Sequence, residues 1–160
     1  MSYITGKGAT VSVEVAGTMT EIKQVTGITA PTMEQTTIDV THLGSTAREF
    51  VPALQSNSNF SFSVEWDQHA TDGHGTNILN LFTGADSTAG GLRNAGWKIV
   101  YTYYNEGDAS THTMTITFDG FISSIAFDEV AVDTVLSATI NVQVDGAITV
   151  SYTHLRAHET

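Results

Sequence analysis

Apolar and polar residues alternate with a period of two along much of this chain. Phe60, Phe62, Val64 and Trp66 are interleaved with Ser61, Ser63, Glu65 and Asp67. That spacing puts four large apolar side chains on one face of a strand and four polar ones on the other. Ile38 and Val40 alternate with Thr37, Asp39 and Thr41, a shorter strand of the same half-buried design. Between the two lies HLGSTAREFVPALQSNSN, which has no helix-length apolar pattern and carries Gly44 and Pro52. A connection of that length predicts a functional loop, a disordered segment or an interaction arm, with little regular structure of its own. Phe50, Val51, Pro52 and Leu54 make it apolar, which marks either a partner surface or a loop folded over one end of the domain.

The same period recurs elsewhere. Val11, Val13 and Val15 predict a strand over Thr10–Val15, turned by Ala16-Gly17, and Glu21 to Ile28 predicts its hairpin partner with a bulge near Lys23 or Gln24. Ala30-Pro31 breaks the run. Thr76 is a suitable N-cap for a short helix over Asn77 to Phe82, with Ile78, Leu79 and Phe82 on one face and Gly84 ending it. Strand character resumes from Trp97 to Tyr104, and Asn105 to Asp108 reads as a hairpin connection. Met114, Ile116 and Phe118 alternate with Thr113, Thr115, Thr117 and Asp119. Phe121 to Phe127 continues past Gly120, a predicted bulge or bend. Leu136, Ala138, Ile140, Val142 and Val144 alternate with Ser137, Thr139, Asn141, Gln143 and Asp145. Roughly eight strands and one short α-helix predict an all-β, mostly antiparallel fold of the β-sandwich or barrel kind.

At 160 residues the chain fits one domain. The expected boundary falls at 1–151. Residues 152–160 lack alternation, resemble translated sequencing-adaptor read-through, and are expected to be non-native or disordered. Only 14% of residues are charged, so Ser, Thr, Asn and Gln must supply most of the polar surface. Seventeen acids against six bases give a net charge of −11, which repels phosphate where nucleic-acid capture would need clustered cations. With no cysteine there is neither disulfide nor thiolate chemistry. The N-terminus lacks a Sec-type pattern, no run reaches the length of about 18 apolar residues that a spanning helix needs, and a protein made in the cytoplasm is expected.

Asp67, His69, Asp72 and His74 are metal-competent donors within one short run, but their spacing matches no defined motif and a solvated loop accounts for them. His42 and His112 read as polar surface, and Asp128-Glu129 as a solvated turn. No nucleophile elbow, phosphate loop or dinucleotide fingerprint occurs, so no catalytic residue, metal or cofactor is assigned. Polar strand faces without lysine guards suit edges that pair with another copy, or a monomer whose loops cover them.

The run IDVTHLGSTAREFVPAL followed by an alternating strand ending in EWD resembles the tail-tube (major tail) proteins of long-tailed bacteriophages. That resemblance implies a tail-tube-like β-domain located in the virion tail. Copies would form six-fold rings stacked into a hollow tube, through which DNA passes without specific binding during ejection. It implies self-association as the main partnership, with tail terminator, distal tail and tape-measure proteins as further partners, and no membrane. On that reading the expected ring-stacking residues are Thr41, His42, Arg48, Glu49, Phe50 and Pro52. The expected lumen-lining residues are Asp39, Thr115, Thr117, Asp119, Ser137, Thr139, Asn141 and Gln143. Two other readings stay open: the inner tube of a contractile tail or type VI secretion apparatus, and a monomeric β-sandwich binding or decoration module. Trp97, Tyr101 and Tyr103 on one strand face would serve the latter as a platform, or simply the core.

Overall fold

The computed structural model describes residues 4, 7–15, 17–68, 73–83, 95–105, 107 and 110–153. The alternating segments become nine strands: β1 (Thr10–Val15), β2 (Thr18–Ile22), β3 (Val25–Thr29), β4 (Met33–Asp39), β5 (Phe50–Asn57), β6 (Phe60–Glu65), β7 (Ala95–Asn105), β8 (Ser110–Phe127) and β9 (Ser137–Thr153). Seven form one sheet in the order β2-β1-β7-β8-β9-β6-β3, every pair antiparallel. β4 and β5 form a separate two-stranded ribbon.

Edge strands β2 and β3 stand at opposite ends of the sheet order, yet only Lys23 and Gln24 separate them in sequence. Three peptide links reach about 11 Å, so the sheet must curl until its two edges meet. The predicted bulge is therefore a corner, and the expected single strand Glu21–Ile28 is two strands. Gln24 takes φ 60°, the left-handed conformation that turns the chain, and its carbonyl accepts the Glu65 N–H at 3.0 Å.

Curling lets one sheet enclose a core by itself. Val11, Val13, Phe60, Phe62, Val64, Trp97, Ile99, Ile116, Phe118, Ala138, Ile140 and Val142 all point inward and are buried. Phe60 stacks on Phe62 at 5.3 Å and meets Trp97 and Phe118 edge-on at 5.9 and 5.4 Å. Ring pairs in this range add about 0.5–1.5 kcal/mol beyond their buried area.

The helix differs in detail from its prediction. A π-type turn over Gly75–Leu79 leads into α1 (Asn80–Thr83), so Thr76 lies inside the helix and His74 occupies the N-cap position without a side-chain cap. The wider turn rotates Leu79 outward and brings Ile78 and Leu81 into the core. Gly120 also departs from expectation: β8 runs straight through it, with the irregularities flanking it at Thr117/Asp119 and Ile122/Ser124. A Cβ there would stand 2.5 Å from the Gln143 carbonyl oxygen, so the bare glycine allows β9 to approach. β9 pairs as far as Thr153, two residues beyond the expected domain boundary. Residues 154–160, like Gly84, lie outside the described ones.

The largest correction concerns the connection from Thr41 to Asn59. Its second half is largely β5, hydrogen-bonded to β4 from Met33↔Asn57 to Asp39↔Phe50. The expected half-buried strand around Ile38 and Val40 is instead exposed along its whole length. Pro52 is accommodated because the register slips between Gln35 and Thr37, leaving its missing N–H beside a bulge.

Candidate assembly surfaces

Three surfaces are built from these elements. The first is the outer face of the five central strands. Since successive residues of a strand point to opposite sides, burying Ile116, Phe118, Ile140 and Val142 turns Thr115, Thr117, Asp119, Ser137, Thr139, Asn141 and Gln143 outward together. They do not sit opposite one another. Thr115 and Thr117 pair with Ser151 and Thr149, while Ser137, Thr139 and Asn141 border β6 at Glu65, Ser63 and Ser61. The face is thus a long diagonal of hydroxyls and amides, joined where Asn141 Nδ2 donates to Ser124 Oγ at 2.8 Å. Carboxylates gather at its middle. Glu14 Oε2 and Asp119 Oδ1 lie 3.2 and 3.9 Å from the position a Cβ on Gly96 would take, and Asp119 stands across the ladder from Asp145.

Asp39 does not belong to this face. It ends β4, and its carboxylate accepts the Thr41 hydroxyl and the Thr41 N–H (2.9 Å), bonds that hold its pKa below the ordinary carboxylate value.

The second surface is the β4–β5 arm. At its tip Ser45 Oγ and His42 Nε2 approach Glu49 Oε2 at 3.1 and 3.7 Å, and Glu49 N–H donates to Thr41 Oγ1 at 2.9 Å. Thr41, His42, Arg48 and Glu49 make up the tip, whereas Phe50 and Pro52 stand in β5. Met33, Ile38, Val40, Leu43, Phe50, Val51 and Leu54 are all exposed. The alternative of a loop folded over the domain is not what this segment does. At the base, Asn57 Nδ2 donates to the Gly146 carbonyl at 2.7 Å.

The third surface went unread in the sequence. Between β8 and β9, the segment taken for a solvated turn at Asp128-Glu129 exposes Val130, Val132 and Val135 beside Phe127. Three valines among two acids in EVAVDTV, without glycine or proline, were its signal.

The described histidines separate into two kinds. His42 is exposed, but His112 is buried, correcting its surface reading: it bonds Ser110 Oγ at 2.9 Å and stacks on Tyr103 at 5.6 Å. His74 is buried too. Its Nδ1 accepts the Asp67 N–H at 2.8 Å, which puts the ring proton on Nε2, and Nε2 donates to the Lys23 carbonyl at 2.6 Å. Both nitrogens serve the backbone, tying the helix start to the sheet corner. His69 and Asp72 lie outside the described residues, and no metal-competent cluster occurs among the described ones. Trp97 is buried and Tyr101 packs against the core, so neither offers an exposed platform.

A curled antiparallel sheet with a hydroxyl-rich outer face, open strand edges and a projecting apolar arm suits a structural protein that assembles with its own copies, and the family match agrees: it makes this a tube-forming structural protein of the virion tail. The chain belongs to the lambda-like phage tail tube family, whose model matches residues 3–154. No curated protein sequence matches it. Its fold is similar to the SPP1 tail tube protein (TM-score 0.65, 12% identity, covering 92% of this chain and 78% of that one). It is also similar to a chain in the tail of a gene transfer agent particle (0.58, 14%, 93% and 99%). A third likeness is to a chain in the sheath/tube terminator structure of an extracellular contractile injection system (0.53, 12%, 88% and 92%). Among the described residues no helix is long and apolar enough to cross a membrane.

Proposed function

We propose that copies of this chain join side by side into six-membered rings that stack into the tail tube, a conduit for DNA. The carrying observation is the stagger of the two longest strands. β7 covers β8 only from Ser110 to Gly120, and β6 covers β9 only from Ser137 to Val142. Among the described residues, Phe121–Phe127 of β8 and Thr149–Thr153 of β9 therefore each lack a strand on one side, and they do so on opposite sides of the sheet. A neighbour's β9 laid beside β8 extends the ladder with antiparallel sense, and repeating that contact closes a ring without a free edge. The six-fold order is supported by the gene transfer agent tail, which is described as having C6 symmetry.

In such a ring the outer face lines the bore. Thr115, Thr117, Asp119, Ser137, Thr139, Asn141 and Gln143 keep it hydrated, and the carboxylates near Gly96 repel phosphate, so DNA slides past. The role is assembly rather than catalysis. Tail terminator, distal tail and tape-measure proteins complete the partnership at the tube ends and within it. The likeness to a contractile injection system chain favours a second reading, a tube enclosed by a sheath, which a sheath in micrographs of the intact particle would establish. Negative-stain microscopy of the purified protein tests the main reading: rings or tubes support it, and a monomer at high concentration overturns it.

A further inference from the structure

The valine loop between β8 and β9 is an apolar surface that the described subunit leaves open. Val132 has 109% of its reference area in solvent, and Val130, Val135 and Phe127 are each more than half exposed. The turn carrying them is tied internally. Thr134 Oγ1 accepts the Ala131 N–H at 2.8 Å, Asp128 N–H donates to the Ser137 carbonyl at 2.9 Å, and Ser137 Oγ donates to Asp128 Oδ2 at 3.1 Å. Phe127 packs edge-on against Trp66 at 4.9 Å. Valines held on such a turn lose little freedom on docking. Asp128, Glu129 and Asp133 rim them with negative charge.

The arm tip carries the complement. Leu43 is fully exposed at 108%, Phe50 and Val51 follow it, and Arg48 is an exposed cation in a chain with only six bases. The two surfaces leave the body at opposite ends of β6. The arm departs beside Phe60, where the Ser58 N–H bonds the Thr32 carbonyl; the valine loop is anchored beside Glu65, where the Trp66 N–H bonds the Leu136 carbonyl at 2.7 Å. The six residues between span about 20 Å. Complementary patches at opposite ends make a head-to-tail contact, which propagates instead of closing as a dimer.

We infer that the arm tip of one copy docks on the valine loop of a copy in the next ring. Leu43 and Phe50 pack against Val130, Val132 and Val135, and Arg48 enters the acidic rim. This rests on the tube assembly proposed above and names the receptor surface for the arm. Because the chain has no cysteine, a Leu43→Cys/Val132→Cys double variant can be assembled, treated with a short bismaleimide and run on a denaturing gel. The expected result is a ladder of dimers, trimers and longer species, with each single variant stopping at dimers. Normal tubes that give no ladder overturn the docking and leave the tube reading standing; a wild-type chain that forms no rings or tubes overturns both. Independently, Arg48→Glu and Asp133→Arg should each shorten the tubes and together restore their length. A double variant no longer than the singles also overturns the docking.

Discussion

Strand β6 and the arm strands β4 and β5 are built from similar material and behave in opposite ways. β6, FSFSVE, alternates buried and half-buried positions until its final glutamate. β4, MEQTTID, carries Met33 and Ile38 on either side of Glu34, Gln35, Thr36 and Thr37 and is exposed at every position, and β5 exposes Phe50, Val51 and Leu54. The difference is neighbours. β6 lies between β3 and β9 over a core, whereas among the described residues the ribbon has no second layer of its own. A two-stranded ribbon is marginal by itself, so an arm that keeps large apolar groups in water is suited to receiving its second layer from another molecule.

Substitutions on the two sides of this comparison should separate folding from assembly. The largest effect is expected for Phe60→Ala, which removes a ring in contact with Phe62, Trp97 and Phe118 and should cost about 3–5 kcal/mol in denaturant unfolding of dissociated subunits. Phe50→Ala, by contrast, should change subunit stability by no more than about 0.5 kcal/mol while reducing tube formation. An equal loss of stability from both would erase the distinction. Next comes His74→Ala, which removes the hydrogen bonds from the Asp67 N–H and to the Lys23 carbonyl and should cost about 1–3 kcal/mol in all. Gly120→Ala forces a methyl against the Gln143 carbonyl, and a loss of about 1–3 kcal/mol is expected in the same assay.

Arg48→Glu should leave the unfolding free energy within about 0.5 kcal/mol of wild type yet shorten the tubes seen in micrographs. Unchanged polymerisation would move the clamp elsewhere. The smallest effect concerns pH. The folded Asp39 pKa is depressed by the Thr41 hydroxyl and N–H, so the order these bonds give the arm tip is present at neutral pH and lost as pH falls through that depressed value. The Thr41 amide resonance should titrate below the usual carboxylate range while resonances of β6 stay put. Titration at the ordinary value would show that the bonds do not hold in solution.

Much of the body was legible because a half-buried strand writes its two faces directly into sequence. Val11/Val13, Phe60/Phe62/Val64 and Ala138/Ile140/Val142 face inward as alternation predicts, and the hydroxyl positions between them face out. The arm was not legible as a ribbon. Gly44 and Pro52 read as loop signals, and only the bulge near Thr36 makes room for proline within a strand. The burial of His112 and the exposure of the valine loop likewise depend on which segments lie alongside, and local spacing carries no such information.

By itself, then, the sequence determined an antiparallel β-domain with a hydroxyl-rich, anionic surface, since period-two alternation and composition are properties of neighbouring residues along the chain. Only the tertiary structure decided that β2 and β3 meet across a curled sheet, that β8 and β9 overhang their neighbours, and that the arm and valine loop leave opposite ends of β6. Those are consequences of pairing between distant segments, where a ladder gains its hydrogen bonds only after the chain has closed the loop between them.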